Sequence, residues 1–182
     1  MSDGGLTPPV SERDHIAGPD DAPVTLVEYG DYECPYCGMA HPVVKNAQRE
    51  LGSQLRFVFR HFPLAEAHPH AQLAAQAAEA AGAQGRFWEM HDVIFEHQEA
   101  LEVEDLLGYA KSLGLDSAQI ARDLEAGTYV KRVRDDFRSG VKSGVNGTPT
   151  FFVNGVRYDG SWANEKAFIG ALRDAAQQGV GT

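Results

Sequence analysis

The stretch Val27–Met39, VEYGDYECPYCGM, holds both cysteines of the 182-residue chain, Cys34 and Cys37, with Pro35 and Tyr36 between them. Just upstream, Val24–Gly30 is β-branched and apolar and reads as a buried strand. Downstream, from Pro35 to Leu51, the apolar positions take helical spacing and Gly52 follows as a stop. The cysteines therefore fall where a strand hands over to a helix. Pro35 takes the first helical position, where its missing N–H costs nothing and its φ is preset. Residues three apart share a helix face, so the two cysteines are expected at about 5–6 Å, a separation a disulfide accepts. The ring closed by such a bond is too small to stabilise much through loop entropy. That points to a bond that forms and breaks in service.

The helix start also separates the two sulfurs chemically. The first thiol meets N–H groups without helical partners and the positive end of the dipole, so Cys34 is expected to ionise more readily and to be the nucleophile. Cys37, one turn in, is expected to be more buried and to resolve the mixed disulfide. A helix terminus supplies about 0.3–1 kcal/mol, and up to about 2 in favourable geometry. This moves a thiol from about 8.5 to about 7–8. Asp31 and Glu33 oppose the shift by repulsion, weakly if they point into water, and no cationic residue stands between the thiols. A zinc site needs four ligands. There is no second cysteine pair, and beyond His41 the spacing offers no fourth ligand, so no metal is expected. Glu28 sits in an otherwise apolar strand. A central strand covered on both faces leaves it no solvent side, and a buried carboxyl there would have a raised pKa and could relay the proton of the resolving thiol.

Outward from this centre, Gln54–Phe62 alternates as a second strand, completing the strand–helix–strand opening of a parallel unit. About eighty residues of helical pattern follow. In Arg86–Gln98 the inward face is expected to carry Phe87, Met90, Val93 or Ile94, and His97. Asp116 or Ser117 reads as an N-cap, with Gly127 just past the end of that helix. Strand signals return in Thr148–Gly155, turn at Asn154-Gly155 and run back through Val156–Gly160, and Asn164–Gln178 is a closing amphipathic helix. Pro42 is expected to kink a first helix that continues past it. His61, His68, His70, His91 and His97 lack metal-ligand spacing and read as satisfied or surface side chains. The fold class is α/β, a sheet interrupted by a helical insertion. Residues 1–14 are expected to form a flexible tail, 15–63 with 144–182 the sheet domain, and 64–143 the inserted helices.

The formal net charge of −10 argues against nucleic acid or an anionic membrane surface as partner. No apolar run reaches the roughly 18 residues of a membrane-spanning helix. The polar start after Met1 has no basic segment followed by an apolar one, which leads to the expectation of a cytoplasmic protein.

VEYGDYECPYCGMAHP together with GVNGTPTFFVNG resembles the thioredoxin fold, and the helical block between the second and third strands resembles its DsbA-like branch. The likeness covers about Val24 to Gln178. It implies a thiol–disulfide oxidoreductase without bound cofactor, with Cys34 attacking, Cys37 resolving and Glu28 as the family's buried acid. It implies that Pro149 is cis, although only about 5–6% of X–Pro bonds are. Pro35, Tyr36, Thr148 and Pro149 are expected to meet substrate. The Pro-Tyr dipeptide is the glutaredoxin form, whereas strongly oxidising DsbA proteins have Pro-His. A potential in the middle or lower part of the span from about −120 mV for DsbA to about −270 mV for thioredoxin is expected. In a reducing cytosol this implies a reductase or isomerase, served by the thioredoxin system or glutathione. A glutathione-linked reductase or transferase, and a metal-holding or binding module on the same scaffold, are the alternatives.

Overall fold

A computed structural model of the protein describes residues 5–179. In chain order the elements are β1 (His15–Ala17), β2 (Val24–Gly30), α1 (Pro35–Leu51), β3 (Leu55–His61), α2 (Ala71–Ala83) and α3 (Phe87–Glu96). Then come α4 (Val103–Ser112), α5 (Ser117–Ala126), α6 (Val130–Lys142), β4 (Thr150–Val153), β5 (Val156–Arg157) and α7 (Glu165–Gly179). This is an α/β fold with a helical insertion between β3 and β4. The sheet order is β1-β3-β2-β4-β5, so β2 and β3 lie centrally and read as near-continuous apolar runs. β4 pairs antiparallel with β2, placing Glu28 opposite Phe151 and Tyr29 opposite Thr150.

The chain divides into two compact units. The first takes the described residues of Met1–Gly30, Met39–Arg60 and Ser139–Thr182. Its core is built from Leu26, Val27, Phe57, Phe59, Phe151, Phe152, Phe168 and Leu172, all buried. Burying each such side chain stabilises by about 1.5–3 kcal/mol. The second unit takes Asp31–Gly38 and His61–Arg138. Its Ala-rich α2 buries Ala74, Ala77, Ala78 and Ala81, and small side chains there let neighbouring helices approach closely. Sequence reasoning placed the insertion at 64–143. The helical unit gains 31–38 because that segment hydrogen-bonds into it, and it ends at Arg138 because Ser139 shares a hydrogen bond with Tyr29.

Three further details differ from expectation. In α3 the buried face is Phe87, Met90, His91, Ile94 and Phe95. His91 lies inside, while His97 is exposed beyond the helix end, with its Nδ1 against the Val93 carbonyl. The stripe follows positions i, i+3, i+4, i+7 and i+8, which His97 misses. The hairpin arm after Asn154-Gly155 is only Val156–Arg157 long, not reaching Gly160.

The stretch expected as a flexible tail is tied down along its described residues. Leu6 N–H donates to the Gly155 carbonyl at 2.8 Å and Thr7 N–H to Ser143 Oγ at 2.9 Å. Arg60 then uses all its donors on this side of the sheet. It forms a bidentate pair with Asp14 at 2.8 and 3.0 Å and donates to the carbonyls of Pro8 and Pro9 and to Tyr29 Oη. Burial works against the Arg60 charge, but Asp14 and Tyr29 outweigh it and raise the pKa further. A buried guanidinium needs this many acceptors, and residues 8–14 supply most of them. α1 runs unbroken through Pro42 to Leu51, and Gly127 closes α5 in the left-handed conformation with Asp116 as its N-cap.

Candidate active site: a dithiol at a helix N-terminus

β2 ends at Gly30, and four residues later Cys34 sits immediately before α1, its carbonyl accepting the Gly38 N–H at 3.1 Å. Cys34 is therefore the N-cap, with Pro35 at N1 and Cys37 at N3. The two cysteines are thiols rather than a disulfide; Cys34 is 4% exposed and Cys37 fully buried. Tyr36 between them is 62% exposed, and Met39 on the next turn is exposed as well. The Asp31 N–H donates to Cys37 Sγ at 3.5 Å, and the Cys34 N–H donates to the Asp31 carbonyl at 3.1 Å.

The approach to Cys34 is held by side chains from the helical unit. Gln98, just past α3, donates from Nε2 to the carbonyls of Tyr32 (2.9 Å) and Cys34 (2.8 Å). Tyr32 is buried, with its hydroxyl 2.9 Å from His91 Nδ1 and its ring 4.8 Å from that of Phe95. Asp31 is 1% exposed. Its carboxylate accepts from the Glu33 N–H, the Leu64 N–H and His68 Nδ1, each at 2.8 Å. Glu33 accepts the His70 N–H at 2.6 Å and meets His70 Nδ1 at 2.8 Å, while His70 Nε2 meets Glu102 at 3.0 Å. A neutral imidazole carries a single N–H, so carboxylates on both nitrogens call for the imidazolium. The hydrogen bonds to Glu33 and then Glu102 raise the His70 pKa, with burial only slightly opposing.

Asp31 therefore does not point into water, as the sequence allowed, but into a closed set of donors. Sequence reasoning missed Gln98, and it read His68 and His70 only as satisfied or surface histidines. No local spacing links them to the cysteines.

Glu28 is buried in β2, in the first unit. The same unit holds Thr148 and Pro149, both half-buried, joined by a cis peptide just before β4. In the second unit, His61, Glu79 and Asp136 form a buried cluster of potential metal ligands. Arg132 makes ion pairs with both Glu79 and Asp136, so the cluster is already charge-compensated, and it contains neither cysteine. Burial raises the Asp136 pKa, opposed by His61 and Arg132.

The thioredoxin family profile matches residues 10–171. The chain is 49% identical over 170 residues to the Na(+)/H(+) antiporter NhaA 1 of Salinispora arenicola, covering 93% of this chain and 26% of that protein. The chain thus spans about a quarter of the length of the curated relatives it matches. Among solved structures, oxidised BdbD from Bacillus subtilis superposes with a TM-score of 0.84 at 26% identity, covering 93% of this chain and 96% of that one. A thioredoxin-like oxidoreductase from Silicibacter pomeroyi gives 0.79 at 28% identity, covering 92% and 94%.

Proposed function

Because the chain belongs to the thioredoxin family, in its DsbA-like thiol–disulfide oxidoreductase form, we propose that Cys34 and Cys37 exchange disulfides with protein substrates. The observation that carries this reading is Cys34 at the N-cap of α1 with Cys37 buried one turn on. Cys34 thiolate attacks one sulfur of a substrate disulfide. A Cys34–substrate S–S bond forms, the substrate S–S bond breaks, and the departing sulfur leaves as a thiolate that takes up a proton. Cys37 then loses its proton and attacks Cys34 Sγ, releasing the second substrate thiolate. The substrate gains two electrons, and the protein is left with a Cys34–Cys37 disulfide.

Glu28 takes the Cys37 proton in this scheme, and Pro35, Tyr36, Thr148 and Pro149 line up the substrate backbone. In a reducing cytosol the pair rests as a dithiol, so the working direction is reduction or isomerisation, with the thioredoxin system or glutathione returning the electrons. The Pro-Tyr dipeptide, which puts no charge between the sulfurs, supports a potential below that of DsbA.

The test uses insulin as the disulfide substrate with dithiothreitol as reductant. Cys34→Ser is expected to abolish turnover. Cys37→Ser should accumulate a Cys34-linked mixed disulfide visible by mass spectrometry. Turnover at the wild-type rate in Cys34→Ser overturns the reading.

A further inference from the structure

Two carboxylates close to Cys34 oppose its thiolate. Asp31 and Glu33 each meet a histidine from the segment that follows β3, and the two pairs differ. His70 is 35% exposed and divides its charge between Glu33 and Glu102. The His68 side chain is 18% exposed, and the Asp31 side chain that it contacts is fully enclosed. Asp31 is also the residue whose N–H reaches Cys37 Sγ and whose carbonyl accepts the Cys34 N–H. His68 thus docks, through a carboxylate held by three donors, on the residue that bonds the Cys37 sulfur and the Cys34 backbone.

On the premise that Cys34 is the attacking thiol, we propose that His68 is a positioning residue for its reaction. The imidazolium, docked on Asp31, stabilises the Cys34 thiolate and sets the pH range over which it attacks. The positive charge missing between the two cysteines is supplied from the loop between β3 and α2.

The protonation of His68 agrees with this geometry. Burial works against its charge, but the hydrogen bond to Asp31 and the negative charges of Asp31, Cys34 and Glu33 outweigh burial and raise its pKa above 6.5. Interaction free energies are reciprocal: whatever the thiolate contributes to the imidazolium, the imidazolium contributes to the thiolate. The charged groups around this point are Asp31 and Glu33 ahead of α1, Cys34 at its N-cap, His70 on the same loop as His68, and Glu102 at the start of α4. With both histidines protonated, the thiolate meets three carboxylates and two imidazoliums. With both neutral it meets the three carboxylates alone, and the repulsion that the sequence suggested returns.

The experiment follows thiolate absorbance of the reduced protein against pH in wild type and His68→Gln, with circular dichroism to establish folding. The variant's thiolate midpoint is expected to rise by about half to one pH unit, so that about three- to tenfold less thiolate is present near pH 6. A more basic thiolate is a better nucleophile, so alkylation by iodoacetamide should slow less, by about two- to fourfold. The reciprocal arm leaves His68 in place. Its titration by NMR in reduced wild type and in Cys34→Ser should show a lower His68 pKa without the thiol. An unchanged thiolate midpoint in folded His68→Gln, or the same His68 titration with and without Cys34, overturns the proposal. If His68→Gln does not fold, the histidine titration decides alone. Neither readout uses turnover, so a protein that forms no mixed disulfide as Cys37→Ser refutes the exchange reading separately.

Discussion

Gly38 and Gln98 show how one missing carbon shapes the site. A Cβ on Gly38 would stand 2.0 Å from Gln98 Oε1 and 2.6 Å from its Cδ. The glutamine can swing away, but it then releases the carbonyls of Tyr32 and Cys34. Losing those bonds costs about 0.5–1.5 kcal/mol each, while alanine in place of a helical glycine returns about 1 kcal/mol. Gly38→Ala is therefore expected to cost about 0–2 kcal/mol, whereas Gln98→Ala costs about 1–3 kcal/mol. The informative measurement is the double mutant in urea denaturation. In the Gly38→Ala background, Gln98→Ala should cost almost nothing, because the two substitutions remove the same bonds. Additive losses would mean that Gln98 keeps its bonds beside a Cβ.

At the scale of elements, the buried pair of Arg60 in β3 and Asp14 ahead of β1 joins the start of the chain to the sheet. Both side chains are nearly enclosed, 3% and 5% exposed. Removing one partner of such a pair leaves an uncompensated charge and costs about 3–5 kcal/mol, a large share of the roughly 5–15 kcal/mol that holds a domain folded. Asp14→Ala is expected to lose that much in urea denaturation, and a loss under about 1 kcal/mol would make the contact incidental. Gly18, which follows β1 at φ +99°, marks the same junction. A Cβ there would meet the Leu55 carbonyl oxygen at 2.2 Å, with backbone on both sides and no side chain to yield. A three-residue strand and one arginine leave no periodic trace, so this attachment was illegible in the sequence. β2, β3 and α1 were legible because apolar runs of strand length and helical spacing, punctuated by Pro and Gly, are local signals.

For the whole molecule, the acid–histidine pairs tie stability to pH. His68 and His70 both have folded-state pKa values raised above the ordinary 6.5. The sign follows from linkage: protons bind more tightly to the folded protein, so this stability is fully present below about pH 6.5 and is lost as pH rises through the folded-state values. The unfolding free energy of the reduced protein is expected to fall from about pH 6 toward pH 8. His68→Gln should remove part of that slope, and parallel curves for wild type and variant would mean that His68 is not linked to folding.

By itself the sequence determined the α/β class, the helical insertion, the dithiol at a strand-to-helix junction and the buried strand that carries Glu28. These rest on spacings of a few residues, where backbone geometry leaves few choices. Only the tertiary structure decided that Asp31 turns inward onto His68, that Glu33 meets His70, and that Arg60 gathers residues 8–14. Each of those depends on which charged groups, dozens of residues apart in the chain, are brought together out of water, and a buried charge accepts whichever partner the packing delivers.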